Sequence, residues 1–315
     1  MTRKFFFGLI LAAFGPVLAA CSSDDSSKDE SQGPVGAPKP KAEFLPVASG
    51  PCPGFADGAG CRKDDISLIC DFTPSGLVTR PVRIWMSDAA RSLHGPIVVF
   101  WHGLTRTASD AVQQTAGLGP DVVNAIVAEG GIVASPERSE KRETTSLGQL
   151  PWLLALGTGE DDDLRVMDEV IACANSEVGI DPRRIHTTGM SAGGLQTGQV
   201  SARRSGYLAS TVVFSGGQAG DPPIQDPENL YAVALFHGGT QDMVLINFMD
   251  QETTYRERLN SQGHFNIICN HGKGHSVPIE AAAAGWEFMK DHPYGVSPEP
   301  YANGLPPTMP AYCEK

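Results

Sequence analysis

Residues 185–194 have the sequence I-H-T-T-G-M-S-A-G-G. A short apolar run leads here into the pattern G-x-S-x-G around Ser191, and a helix-compatible stretch follows over residues 192–203. A strand that turns sharply into a helix at a serine is a nucleophile elbow, and its glycines are needed because a Cβ would clash at the tight contacts. The pattern therefore predicts Ser191 as a nucleophile whose hydroxyl projects from the edge of a sheet.

Strand-like and helix-like stretches alternate on both sides of this elbow. The strand-like stretches are short apolar runs of the kind found in buried strands, and the helix-like ones have apolar residues on one face. This alternation predicts an α/β fold: a mostly parallel, doubly wound sheet with helices on both faces. The predicted strands are 82–86, 96–101, 131–134, 184–188, 211–215, 231–237 and 264–269, and the predicted helices are 121–128, 161–174, 192–203, 250–260 and 278–290.

A serine hydroxyl is a poor nucleophile until a base takes its proton. Among the eight histidines, His275 lies in H-G-K-G-H-S-V-P, residues 271–278, between the last predicted strand and the last predicted helix. In a doubly wound sheet this loop lies at the carboxyl edge, near the elbow. His275 is therefore the predicted base, and His271 in the same loop is the alternative.

The base in turn needs an acid that orients it and stabilises its charged form. Asp242 ends the motif H-G-G-T-Q-D, just after a predicted strand and one β-α unit before the predicted base. This gives the order Ser, Asp, His that is typical of α/β hydrolases. Asp242 is therefore the predicted acid. Asp250 and Glu252 are alternatives within the following helix, and a plain turn role for Asp242 also stays open.

The motif W-H-G-L at residues 101–104 directly follows a predicted strand and resembles a first oxyanion loop. The backbone amides of Leu104 and Ala192 are the predicted oxyanion-hole donors. His102 is predicted to lie at the substrate site, packing the loop rather than acting as a base. Trp152, in the segment 137–160, is predicted as an aromatic platform for substrate, although a loop folded onto the core is an equal alternative.

The motifs W-H-G-L, G-M-S-A-G-G, H-G-G-T-Q-D, G-K-G-H-S-V-P and G-W-E-F-M-K-D-H-P together cover most of residues 80–292. This set resembles the α/β-hydrolase esterases grouped with poly(3-hydroxybutyrate) depolymerases and feruloyl esterases. The resemblance implies hydrolysis of a small or oligomeric carboxylic ester through an acyl-enzyme, with no metal and no cofactor. A serine peptidase of the prolyl-oligopeptidase type and a non-catalytic ligand-binding lipoprotein are the two alternatives.

The first residues indicate export. Two basic residues precede a short apolar run, as in a secretory signal peptide, and the segment ends L-A-A-C at Cys21. This resembles a lipobox and predicts a lipoprotein signal over 1–20, a lipidated Cys21 and a flexible polar tether over 21–50. The expected location is the cell envelope, with outer-membrane sorting suggested by Ser22. An ordinary signal peptide with a chance cysteine is the alternative.

Six further cysteines lie within the predicted catalytic domain, 51–315, three of them in a cysteine-rich segment at 51–80. An even number in an exported chain suggests disulfides, and six cysteines allow fifteen pairings. A zinc site and buried free thiols are the alternatives. The cysteines are Cys52, Cys61, Cys70, Cys173, Cys269 and Cys313.

The composition fits a globular domain and sets limits on partners. The chain has 315 residues, of which 41% are hydrophobic and 19% charged, and its net charge is −12. These values exclude a mainly disordered or fibrous chain. The acidic field disfavours nucleic acid as a partner. The sequence leaves the oligomeric state open.

Overall fold

A computed structural model of the chain describes residues 38–139, 144–145, 148–152 and 161–315. Within these residues, one ten-stranded sheet forms the centre of the fold. Its strands are β1 (Cys61–Asp64), β2 (Ser67–Phe72), β3 (Arg80–Trp85), β4 (Ile97–Trp101), β5 (Ile132–Pro136), β8 (Ile185–Met190), β9 (Ser210–Phe214), β10 (Ala232–His237), β13 (Asn266–Asn270) and β14 (Cys313–Glu314). Two-residue strands form two small hairpins, β6 (Thr144–Thr145) with β7 (Gly148–Gln149) and β11 (Met243–Val244) with β12 (Ile246–Asn247).

The strand order is β1-β2-β3-β5-β4-β8-β9-β10-β13-β14. The six strands from β5 to β13 in this order pair in parallel, whereas β1, β2, β3 and β14 join antiparallel at the two sides. Because parallel strands all end at one edge, the loops after β4, β8, β10 and β13 meet there. The predicted mostly parallel sheet is confirmed, and the helices and strands predicted around it differ from the observed ones by a few residues at their ends.

Helices cover both faces of the sheet, as predicted. The strand side chains are divided between two large clusters of buried apolar residues, one packed by α3 and α4 and the other by α2 and α6. A smaller cluster joins α5 to β9, β10 and β13. The helices are α1 (Ala90–Leu93), α2 (Gly119–Ala128), α3 (Asp162–Glu177), α4 (Ala192–Arg203), α5 (Phe248–Gln262) and α6 (Ile279–Asp291).

The cysteine-rich segment contains structure that the sequence did not predict. Strands β1 and β2 form an antiparallel pair that extends the sheet beyond β3, with Cys61 opposite Cys70. Three of the four residues of β1 are exposed, so the apolar signal of a strand is weak there. All six cysteines of the domain are in disulfides, which removes them as zinc ligands and as free thiols. The pairs are Cys52–Cys173, Cys61–Cys70 and Cys269–Cys313.

The predicted tether extends too far into the domain. Residues 38–50 belong to the fold: Pro40 is buried, Leu45 packs against the core, and the amides of Ser49 and Gly50 donate to the Glu169 carboxylate at 2.8 and 2.7 Å. The prediction of a flexible stretch up to residue 50 is therefore wrong for its last thirteen residues. Polar composition suggested a spacer, whereas a buried glutamate on α3 supplies acceptors for the backbone.

The predicted signal peptide, Cys21 and the first part of the predicted tether lie outside the described residues. None of the helices in the described part of the chain is both long and apolar enough to cross a membrane.

Candidate active site

Ser191 occupies a sharp turn between β8 and α4. Its backbone has φ 62° and ψ −122°, a region that residues other than glycine rarely adopt. Its amide donates to the Phe214 carbonyl oxygen at 3.0 Å, which ties the turn to the end of the neighbouring strand β9. Backbone strain of this kind persists only where the surroundings impose it, and it often marks a functional site. The G-x-S-x-G pattern thus forms the predicted elbow.

Gly193 explains why the elbow needs glycine. A Cβ at this position would lie 1.8 Å from the carbonyl oxygen of Trp101, at the end of β4. The first turn of α4 therefore rests directly on the backbone that leads into the W-H-G-L loop. This contact sets the elbow beside the predicted oxyanion loop.

His275 and Asp242 form a hydrogen-bonded pair at the same edge. Nδ1 of His275 lies 2.7 Å from Oδ1 of Asp242, so in the matching tautomer the ring N–H donates to the carboxylate. The second oxygen, Oδ2, accepts from the Ser215 hydroxyl at 2.7 Å and from the Gly238 amide at 2.8 Å. Burial alone would raise the pKa of Asp242, but these three donors outweigh it and hold the pKa below the usual value. The carboxylate is therefore charged and fixed.

The two loops that carry this pair touch closely. A Cβ on Gly238 would lie 2.0 Å from the Gly274 carbonyl oxygen, so glycine allows the loop after β10 to meet the loop after β13. The Gly274 amide donates to the Gly238 carbonyl oxygen at 3.2 Å. The ring of Phe248, the first residue of α5, stacks on His275 with centroids 4.8 Å apart. These contacts restrict both the position and the tilt of the imidazole.

Ser191 and Asp242 are both supported by the end of one strand. Ser191 bonds to Phe214, the last residue of β9, and the next residue, Ser215, bonds to Asp242. The predicted residues Ser191, Asp242 and His275 therefore lie on adjacent loops at one edge of the sheet.

The alternatives from the sequence do not fit this arrangement. His271 is buried, and its Nδ1 accepts from the Lys273 amide. Asp250 is exposed on the first turn of α5, and Glu252 is buried and accepts from the Gly216 amide at 3.0 Å. Only Asp242, of the three candidate carboxylates described, bonds to His275.

The predicted oxyanion donors border Ser191. A Cβ on Gly103, which precedes Leu104, would lie 3.4 Å from the Ser191 Cβ, so this loop passes close to Ser191. Ala192 is the first residue of α4, where amides lack a partner within the helix. The positive end of the helix and these amides favour negative charge at this place. The oxyanion role of Leu104 and Ala192 stays a prediction.

The structure corrects the predicted substrate contacts of Trp152 and His102. Both side chains are fully buried, and their rings pack together with centroids 4.7 Å apart. The Trp152 indole N–H donates to the His102 carbonyl oxygen at 2.7 Å, and burial lowers the pKa of His102 to about 4. A ring without exposed surface offers no platform: His102 is packed within the W-H-G-L loop, and Trp152 packs against it. Most of the segment 137–160 lies outside the described residues.

Sequence reasoning missed three supporting residues. Ser215 was expected to end a strand, Phe248 was not singled out, and Glu252 was considered only as a rival acid. The position of Ser215 directly after a parallel strand, at the catalytic edge, is the signal that could have identified it. The stacking of Phe248 on His275 depends on where α5 begins, which the sequence pattern placed two residues later.

Glu252 should be protonated in the folded protein. Burial raises the pKa of Glu252 well above its usual value, the Gly216 amide opposes this, and the charge of Asp242 adds to it. A carboxyl whose pKa is raised on folding holds its proton in the folded state and loses it in the unfolded one. Its contribution to stability is therefore complete below the unfolded pKa and declines as pH rises towards the folded pKa.

We expect Glu252→Gln to be more stable than the wild type by a margin that grows as the pH rises above the usual glutamate pKa of about 4.3. Glutamine keeps the acceptor for the Gly216 amide and has no proton to release on unfolding. The difference in unfolding free energy should grow by up to about 1.4 kcal/mol per pH unit. Urea unfolding of both proteins at increasing pH measures it, and a constant difference would show that Glu252 is charged when folded.

Metal ligation has no support in the described part of the chain. Within residues 38–139, 144–145, 148–152 and 161–315, no group of three or more His, Cys, Asp or Glu side chains is arranged to hold a metal ion.

Several known proteins share this fold. Native sOPH superimposes with a TM-score of 0.63 at 17% identity, covering 85% of this chain and 97% of that chain. A complex of a pOPH serine-to-alanine variant with pNPB gives a TM-score of 0.61 at 16% identity, covering 82% and 95%. An acylaminoacyl peptidase from Pyrococcus horikoshii gives 0.52 at 14% identity, covering 74% of this chain but 42% of that chain. At such identities the likeness concerns the fold alone.

Sequence comparison identifies the family. No curated protein sequence matches this chain. A family model for the dienelactone hydrolase family matches residues 97–287, which is more than half of the chain and extends from the start of β4 into α6. This range contains the elbow, the oxyanion loop and both loops of the His–Asp pair. With its parallel sheet and its helices on both faces, the chain has the α/β-hydrolase fold and belongs to the dienelactone hydrolase family.

Proposed function

We propose that the protein is a serine esterase that hydrolyses carboxylic esters through an acyl-enzyme. The observation that carries the proposal is the bonded pair of His275 and Asp242 at the same sheet edge as a serine held in a strained elbow. A buried, ionised carboxylate that orients an imidazole is what a serine nucleophile needs for activation. Membership of a hydrolase family supports the same class of reaction.

In the proposed mechanism, Nε2 of His275 takes the proton of the Ser191 hydroxyl as Oγ attacks the ester carbonyl carbon. Asp242 keeps the tautomer with the proton on Nδ1 and stabilises the imidazolium that forms. The amides of Ala192 and Leu104 would bind the developing oxyanion, each typically contributing on the order of 3 kcal/mol. The imidazolium then protonates the leaving alcohol. Water, activated by the same base, attacks the acyl-enzyme and releases the acid and free Ser191.

The substrate classes we propose are short-chain, hydroxyalkanoate, and feruloyl or acetyl esters. They follow from the motif resemblance to poly(3-hydroxybutyrate) depolymerases and feruloyl esterases, whereas the family match supports the broader class only. The complex of the pOPH variant with pNPB is a further reason to begin the substrate survey with p-nitrophenyl esters.

Two measurements on the folded, disulfide-bonded protein test the reaction class. The first is turnover of a p-nitrophenyl ester series, methyl ferulate, hydroxybutyrate oligomers and matched amides. The second is labelling by a fluorophosphonate, with the adduct located by mass spectrometry. Ester turnover with the adduct on Ser191 is the expected result. Faster turnover of amides would favour the peptidase alternative, and neither turnover nor an adduct would favour a non-catalytic binding role.

We also propose that the protein is exported and lipid-anchored through Cys21 at the cell envelope, with the outer membrane as the expected site. The apolar run before Cys21 and the polar residues after it support this. Three disulfides fit an oxidising compartment. Mass spectrometry of the mature protein should find acyl chains on Cys21, and an unmodified Cys21 would contradict the anchor.

A further inference from the structure

An exposed apolar hairpin lies beside the candidate active site. It comprises residues 243–247, with β11 and β12 joined at Leu245, and we call it the apolar hairpin. Four consecutive apolar side chains are exposed there: Met243 60%, Val244 42%, Leu245 68% and Ile246 37%. Single exposed apolar residues are ordinary, but a contiguous cluster of them usually marks a binding surface.

The backbone conformation of Leu245 is unusual for a leucine. Its φ is 66°, in the left-handed region where glycine or asparagine is usual in a tight hairpin. A branched apolar residue is strained there, and its exposure means that packing does not compensate. An exposed leucine in a strained conformation at this tip therefore points to a ligand that contacts it.

The base of the apolar hairpin belongs to the catalytic loops. Met243 directly follows Asp242, and Phe248 directly follows the hairpin's last residue. The Phe248 amide donates to the Asp242 carbonyl oxygen at 2.9 Å, which closes the hairpin at its base. The Phe248 ring stacks on His275. The exposed side chains thus rise from the same residues that hold the imidazole.

We propose that the apolar hairpin binds the hydrocarbon chain of the ester substrate, so that esters with medium or long apolar chains are preferred over the short-chain and acetyl esters named among the substrate classes above. The proposal rests on the function proposed above. The hairpin is continuous with Asp242, which bonds to His275, and with Phe248, which stacks on it. This continuity with the candidate active site favours a substrate over a partner protein or a lipid surface. The hydrocarbon belongs either to the acid or to the alcohol of the ester, and the test separates the two.

The test uses the double variant Val244→Thr/Leu245→Asn. Threonine keeps the shape of valine, and asparagine tolerates a positive φ, so both remove apolar surface without disturbing the turn. The readout is a ratio of kcat/KM values in two series. In the p-nitrophenyl acyl series it compares the octanoate with the acetate, and in the alkyl acetate series it compares octyl acetate with methyl acetate. The ratio should fall at least about tenfold, or about 1.4 kcal/mol, in one of the two series.

Leu230→Asn is the matched control, because Leu230 is 52% exposed and lies just before β10, at the opposite edge of the sheet. Its ratio should equal that of the wild type. An unchanged ratio for the double variant in both series, with ester turnover intact, would overturn the subsite while leaving the esterase function standing. The same result with lost binding to phosphatidylcholine vesicles would assign the hairpin to a lipid surface instead. Absence of ester turnover in the wild type would overturn both proposals.

Discussion

Ser191→Ala should lower kcat for ester hydrolysis by roughly 10⁴- to 10⁶-fold. In the proposed mechanism Oγ of Ser191 forms the acyl-enzyme, and without this hydroxyl His275 and Asp242 have no serine proton to move. The remaining activity should be that of the oxyanion amides and of substrate binding alone. Stability should change little, because removal of one hydroxyl leaves the backbone hydrogen bond from Ser191 to Phe214 in place.

The measurement is steady-state hydrolysis of a p-nitrophenyl ester, with the variant purified separately from the wild type to avoid contamination. Ser276→Ala is the matched control, since its hydroxyl donates to the Lys273 carbonyl oxygen and it lies next to His275. We expect that control to stay within about twofold, as a surface substitution does. If Ser191→Ala kept more than about a hundredth of the activity, another nucleophile would have to be found.

Predictability from sequence was greatest where local pattern and topology agree. Ser191 lies in a motif whose geometry follows from glycine sterics, and His275 and Asp242 follow parallel strands whose ends must meet at one edge. The position of each residue just after a parallel strand therefore predicted the edge of the sheet at which the three residues lie. The contact of Nδ1 with Oδ1 at 2.7 Å fits that reasoning.

The sequence failed where burial decided the outcome. Trp152 is apolar and aromatic, which suits a substrate platform as well as a packed core, and only the contact with His102 distinguishes them. Residues 38–50 have the composition of a spacer, but Glu169 on α3 gives their backbone a partner more than a hundred residues away. Long-range partners of this kind leave no periodic signal in either segment.

The choice among Asp242, Asp250 and Glu252 depended on topology. All three lie within eleven residues, and only Asp242 closely follows a predicted strand, whereas the other two fall in the following helix. The structure separates them by environment. Asp242 is buried and accepts from three donors, Asp250 is exposed, and Glu252 is buried and accepts from the Gly216 amide. Because the environments differ, the three acids should respond differently to neutral isosteres.

Asp242→Asn should therefore lower kcat by about 10⁴-fold, the size of loss that this change causes in a serine triad. An amide of the same shape has one oxygen and one NH₂ group, whereas the carboxylate accepts from His275, Ser215 and Gly238 at once. At least one donor must then face the NH₂ group, and the imidazole loses the partner that keeps its proton on Nδ1. Because the wild-type pKa of Asp242 is below its usual value, mild acidity should leave this carboxylate charged, and its titration should not set the acid limb of the pH–rate profile.

Asp250→Asn provides the decisive comparison on the same substrates. Asp250 is exposed at the first turn of α5, where a negative charge contributes only about 0.3–1 kcal/mol through the helix dipole. Activity should stay within about twofold of the wild type, and thermal unfolding should shift by a few degrees at most. A large loss in Asp250→Asn with normal activity in Asp242→Asn would assign the acid to the helix. That result would conflict with the 2.7 Å contact between His275 and Asp242, because a bonded carboxylate cannot be replaced by an amide without changing the tautomer it selects.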